Sequence, residues 1–155
     1  MNPLFEQAIQ SINQKKQLFQ EVETICEKML VMEVEDLIAS VEKRAVLLEQ
    51  IAQQDAELKV LCTQENAIKE MLNNTRLPNT EEEEQLYQSS MKVKAIASRI
   101  LEGEKTIEEY MQYKTNELKN KIEQLNGSSQ STAKRYHQVI AGGIVSDSKN
   151  FSRNF

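Results

Sequence analysis

The stretch VEDLIASVEKRAVLLEQIAQQDAELKVLCTQENAIKEML, residues 34–72, decides the fold. It contains neither Pro nor Gly, so nothing in it breaks a helix. Its apolar positions are Val34, Leu37, Ile38, Val41, Ala45, Leu48, Ile51, Ala52, Leu58, Leu61, Cys62, Ile68, Met71 and Leu72. They recur with a mean step of about 3.5, the spacing of a coiled-coil seam. Asp55 and Glu65 interrupt the seam. A polar residue there lowers stability but can fix register between helices. A helix over 34–72 would be about 60 Å long at about 1.5 Å per residue, so it needs partners of similar length.

Those partners lie on either side. Upstream, residues 4–30 place Leu4, Phe5, Ala8, Ile9, Ile12, Phe19, Val22, Ile25, Cys26, Met29 and Leu30 on one stripe. Pro3 suits a first helical turn, and Lys15 and Lys16 can lay aliphatic stems over the one gap in the stripe. Between Val31 and Glu35 the pattern is apolar on too many sides for one helix, which places a turn there. Downstream, NNTRLPNT at 73–80 reads as a loop. Thr80 followed by Glu83 makes a capping box, and the acidic run Glu81–Glu84 suits a helix N-terminus. A third helix then spans 81–125 through Leu86, Val93, Ile96, Ala97, Ile100, Leu101, Ile107, Tyr110, Met111, Leu118, Ile122 and Leu125. Gly103 interrupts it midway and suggests a bend or a close helix crossing. Asn126-Gly127 supplies a C-terminal stop.

The expected fold is therefore all-α: an elongated antiparallel bundle of three long helices over residues 1–126. Residues 127–155 are richer in Gly and Ser, yet keep Val139, Ile140, Ile144, Val145, Phe151 and Phe155. A short amphipathic helix over 131–141 would be marginal in water, so this tail is expected to be mobile when free.

Charge divides the chain in the same way. Residues 1–125 hold 15 Lys/Arg against 23 Asp/Glu, whereas the tail holds Lys134, Arg135, Lys149 and Arg153 against Asp147. An acidic body disfavours nucleic acid as a partner. No basic leader precedes an apolar run at the start, and no stretch is long and apolar enough to insert into a membrane, which implies a cytoplasmic protein. Cys26 and Cys62 fall on apolar faces and read as small hydrophobes, with no disulfide framework and no metal site.

Nothing in the chain assembles a catalytic centre or a cofactor motif. There is no phosphate-binding Gly-rich loop, no HExxH, no GxSxG and no CxxC. The single histidine, His137, leaves Ser–His or Cys–His catalysis without a base near the helical body. The carboxylates fall on polar faces and are expected to be solvated. The chain thus reads as a binding protein and not as an enzyme. Apolar side chains on a weakly folded tail suit docking onto a groove or a partner helix. A coiled-coil scaffold that works by self-association, as a homodimer or higher oligomer through the second and third helices, is the alternative.

Three features resemble the FlgN-like flagellar export chaperones and the related filament-cap chaperones called FliT. One is VEDLIASVEKRAVLLEQI at 34–51, with an acidic residue and Leu37 ahead of Arg44, Leu47 and Leu48, similar to the family's D-x-x-x-L…R-x-x-L-L signature. Another is the long helix ending in ELKNKIEQLNGS. The last is a tail with Tyr136, then Gly, then Ser-Asp-Ser-Lys-Asn. The resemblance implies a cytoplasmic chaperone without ATPase activity. Its partners would be flagellar hook-associated junction proteins, and by extension the filament cap protein, kept unassembled before type III export. It further implies a partner-binding region at Tyr136, Val139, Ile140, Ile144 and Val145, with Leu118, Ile122 and Leu125 as a groove wall.

Overall fold

A computed structural model describes residues 2–125. They form α1 (Pro3–Met29), α2 (Val34–Gln64), α3 (Asn66–Asn73) and α4 (Glu81–Leu125), with no strand among them. The fold is all-α. The expectations for 127–155 lie outside the described residues.

Helix ends follow local chemistry. The Asn2 side chain accepts from the Leu4 N–H at 2.9 Å, and Pro3 occupies the first turn. α1 stops at Met29, and the chain reverses through 30–33 into α2. The single helix expected over 34–72 is two. Glu65 adopts extended backbone, φ −142° and ψ 109°, and separates α2 from α3. The break is tight: the Glu65 N–H still donates to the Leu61 carbonyl at 3.0 Å, and its carbonyl accepts from the Ile68 N–H at 3.1 Å. It re-aims the last two turns so that Ile68 and Met71, both fully buried, reach α4. Asn74 then closes α3 in the left-handed region at φ 54°, a conformation asparagine tolerates better than most residues.

α1 lies at the centre and packs on both α2 and α4, while α3 packs mainly on α4. Cross-helix bonds give the directions. Ser11 to Gln54, Lys15 to Asp55 and Ser40 to Met32 run α2 antiparallel to α1. Ser89 to Asn13, Arg99 to Glu23 and Tyr110 to Met32 run α4 parallel to α1. The result is an up-down-up bundle. Its core holds Phe19, Val22 and Met29 of α1, Leu37, Leu48 and Ile51 of α2, Ile68 and Met71 of α3, and Leu86 and Met111 of α4, each almost wholly buried.

Two positions on the expected stripes are replaced by charge. Arg44 is buried where the pattern suggested Ala45, and Glu104 is buried where it suggested Leu101. Ala45, Ala52 and Leu101 are exposed. The helical period explains the exchange: steps of three and four run Leu37, Val41, Arg44, Leu48, Ile51 on α2, and Ala97, Ile100, Glu104, Ile107, Met111 on α4. Arg44 and Glu104 form an ion pair between α2 and α4. Lys15 and Asp55 form a second near-buried pair between α1 and α2 at 2.5 Å, with the Lys15 ammonium 5.8 Å from the Phe19 ring centroid. Asp55, which interrupts the apolar seam, thus meets the lysine that fills the gap in the α1 stripe.

Gly103 marks no close crossing, since a Cβ there would meet nothing within 4 Å. Gly103→Ala is therefore expected to stabilise the bundle by about 0.5–1 kcal/mol, through helix propensity and a less flexible unfolded chain. Thermal melts of the two proteins check this; a loss of stability would mean that the glycine serves a contact or a bend.

The 74–80 loop is held by Arg76. Its Nε donates to Glu70, and its two terminal nitrogens donate to the Glu83 carboxylate at 2.9 and 2.7 Å. The expected capping box forms in half: the Glu83 N–H donates to Thr80 Oγ1 at 3.1 Å, whereas the Glu83 carboxylate takes the Asn79 N–H at 2.9 Å together with Arg76. Glu83 is thus buried and bonded, not solvated. Arg76 and the Asn79 N–H lower its carboxyl to about 2. A carboxyl lowered in the folded state contributes stability above its ordinary pKa, near 4.5, and loses it as pH falls toward about 2. Glu83→Gln is expected to flatten this part of the acid-stability curve, and denaturant midpoints between pH 5 and about 2 read the difference. Equal slopes in both proteins would show that Glu83 is not the coupled group.

Candidate functional site: an apolar overhang on α4

α4 outlasts its neighbours. It has 45 residues against 27 in α1, about 67 Å against about 40 Å at 1.5 Å per residue. The α1–α2 turn is tied to α4 by the Tyr110 hydroxyl donating to the Met32 carbonyl at 2.8 Å and by Lys114 on Glu33 at 3.1 Å. Met111 is the last apolar residue of α4 to be buried, and Thr115, whose hydroxyl donates to the Met111 carbonyl, is the last buried residue. The final ten residues, 116–125, run on for about 15 Å.

The apolar stripe does not stop with the bundle. Ile107, Met111, Thr115, Leu118, Ile122 and Leu125 follow one another in steps of three and four, which keeps them on one helix face. Leu118 and Ile122 are half-buried, and Leu125 is 81% exposed. Leu118 shares a cavity of about 300 Å³ with Val34, Glu33, Glu35, Lys114, Glu117 and Lys121 at the end of the bundle. Leu30 and Val31, in the turn at the same end, are exposed as well, Val31 at 83%. A stripe of this spacing is the kind of surface on which another helix packs.

The structure therefore brings Leu118, Ile122 and Leu125 together on one face. The other expected binding residues, Tyr136, Val139, Ile140, Ile144 and Val145, lie outside the described residues. Residue spacing gave these three positions as stripe residues, and the family resemblance gave them as a groove wall. What both lacked was the length of α1 and α2 beside them, which only the register of Tyr110 against Met32 supplies.

The remaining surface offers less. Open cavities of about 540 and 320 Å³ run along the α1–α2 seam, lined largely by amides such as Gln7, Gln10, Gln14, Gln50 and Gln53. Amides neither titrate nor act as nucleophiles. Both cysteines are thiols, and burial pushes the Cys62 thiol up, away from its reactive thiolate. Among the described residues no group of three His, Cys, Asp or Glu side chains could hold a metal ion. No described helix is long and apolar enough to cross a membrane.

Fold and surface together define the class: an all-α helical bundle whose third long helix carries an unfinished apolar seam. Comparison with protein-family models, with curated proteins and with solved structures finds no match.

Proposed function

We propose that this chain is a cytoplasmic export chaperone that binds the amphipathic helical ends of flagellar hook-associated junction proteins and keeps them unassembled before secretion. The observation that carries the reading is the overhang: three apolar residues, Leu118, Ile122 and Leu125, continue a core stripe past the last buried position. A helix that normally packs in a coiled coil presents the same three-and-four spacing, so it can complete this seam as a further strand of the bundle. The resemblance of residues 34–51, 117–128 and 136–150 to the FlgN-like and FliT-like chaperones directs the choice of partner. Under this reading Tyr136, Val139, Ile140, Ile144 and Val145 add a second, sequence-adjacent set of contacts, and no nucleotide hydrolysis is involved.

Deleting residues 128–155 tests the reading. The truncated protein is expected to keep its helicity and its melting temperature and to lose binding of hook-associated proteins in calorimetry. Equal affinity after truncation would remove the tail from the binding site. Self-association through the same seam is the competing use of the surface; it predicts a dimer whose population rises with concentration in sedimentation, and a compact monomer at micromolar concentrations speaks against it.

A further inference from the structure

We infer that the overhang selects its partner by charge: it accepts an amphipathic helix with acidic residues flanking the apolar seam, and rejects both a second copy of α4 and helices with basic flanks. The inference rests on the docking reading above and specifies the partner's chemistry.

The flanks of the seam are lysines. With Thr115, Leu118, Ile122 and Leu125 as core positions, the residues bordering that core are Lys114 and Lys121 on one side and Lys119 on the other. Glu117, Asn120, Glu123 and Gln124 fall farther round the helix. Bordering positions are those that meet the flanks of a partner helix, and their charges set partner choice more than affinity. Two copies of α4 laid seam to seam would set lysine against lysine in either orientation, which is an arrangement that disfavours the pair. Residues 126–155 carry four basic residues against one acidic residue, so this segment also lacks the complementary sign.

Two of the acidic groups at this end, Glu33 and Glu117, are engaged by lysines of α4. Glu33 accepts from Lys114 at 3.1 Å and Glu117 pairs with it at 3.9 Å, while Glu35 lines the same cavity. Lys121 makes an exposed contact with Glu117 at 3.5 Å, a one-turn helix pair of the weak kind. Lys119 has no ion pair among the described residues. Lys119 and Lys121 therefore border the open end of the seam, where Ile122 and Leu125 are, and Lys114 closes the end next to the bundle. A helix docked with Glu or Asp at its flanks meets Lys119 on one side and Lys121 on the other.

The test uses the full chain and two synthetic helical peptides. They share one Leu/Ile seam and differ only at the flanking positions, Glu in one and Lys in the other. The Glu-flanked peptide is expected to bind about tenfold more tightly than its twin at low salt, with the gap closing near 0.5 M salt as screening sets in. Lys119→Glu combined with Lys121→Glu is expected to invert the preference, and both substitutions sit on exposed positions, so folding is retained. Leu118→Asp combined with Ile122→Asp is expected to abolish binding of both peptides. Equal binding of the two peptides, unaffected by salt or by the lysine reversal, overturns charge selection and leaves helical docking standing. Binding that survives the Leu118 and Ile122 substitutions, or no binding by either peptide, overturns the docking reading and the inference with it. A wild-type dimer in sedimentation that dissociates on those same substitutions assigns the seam to a second copy and overturns the inference.

Discussion

Glu104→Ala is expected to lower the stability of the bundle by about 3–5 kcal/mol. The side chain of Arg44 is 1% exposed and that of Glu104 11%, and they pair across the narrow α2–α4 contact. Both charges are largely withdrawn from water, so their pairing offsets part of the desolvation of each. Removing Glu104 takes its carboxylate away from a guanidinium that stays inside the core. Replacing both at once, Arg44→Met with Glu104→Leu, is expected to be neutral or stabilising by about 1–4 kcal/mol, because apolar side chains fill the space with no charge to desolvate. Urea midpoints for the two single variants and the double variant close a mutant cycle on the pair. A cost below about 1 kcal/mol for Glu104→Ala would place the pair among solvent-screened surface contacts instead.

The pair also bears on how the bundle chooses its topology. Apolar stripes with three-and-four spacing look alike after a shift of seven residues, so they fix the direction of packing better than its register. Arg44 with Glu104 couples α2 to α4, and Lys15 with Asp55 couples α1 to α2. A slip of one heptad would bury each charge against an apolar layer. The tyrosine and arginine bonds on the surface, Tyr110 to Met32 and Arg99 to Glu23, agree with that one register.

Much of this arrangement was legible from residue spacing. Pro3, the NNTRLPNT loop and Thr80 set helix boundaries through backbone chemistry that acts within a few residues, and the observed ends lie at or next to them. The turn near residue 31 was legible because the apolar pattern there loses its phase. The break at Glu65 was visible as an interruption of the seam but not as a change of backbone, since glutamate is a good helix former and the packing of α3 on α4 is a tertiary feature. Arg44 and Glu104 were hidden by the rule that charged residues are solvated, although the three-and-four steps pass through both. For the candidate site, the stripe itself was legible through Leu118, Ile122 and Leu125. Its being an overhang was not, because where α1 and α2 run out beside α4 depends on tertiary register.

That distinction gives the second large effect. Phe19→Ala is expected to cost about 3–5 kcal/mol, whereas Leu118→Ala is expected to cost no more than about 1 kcal/mol, although both sit on apolar stripes of long helices. Phe19 is fully buried in α1, the helix that packs on both of its neighbours, and its ring also carries the Lys15 ammonium. Its removal opens a cavity that α2 and α4 cannot both collapse into, since each is pinned by an ion pair. Leu118 lies beyond the last buried residue and lines an open cavity, so truncation leaves little empty volume behind. In a domain of this size the first change corresponds to a fall in melting temperature of about 10–20 °C and the second to a few degrees at most. Binding should rank the two in the opposite order: Leu118→Ala weakens the helical partner at temperatures where the fold is intact, and Phe19→Ala affects binding only as it unfolds the bundle. Melting curves and peptide titrations on both variants make the comparison. A Leu118→Ala protein that melts as low as Phe19→Ala would mean that the end of α4 belongs to the core, and a seam that holds the fold together in this way would not be free to receive a partner.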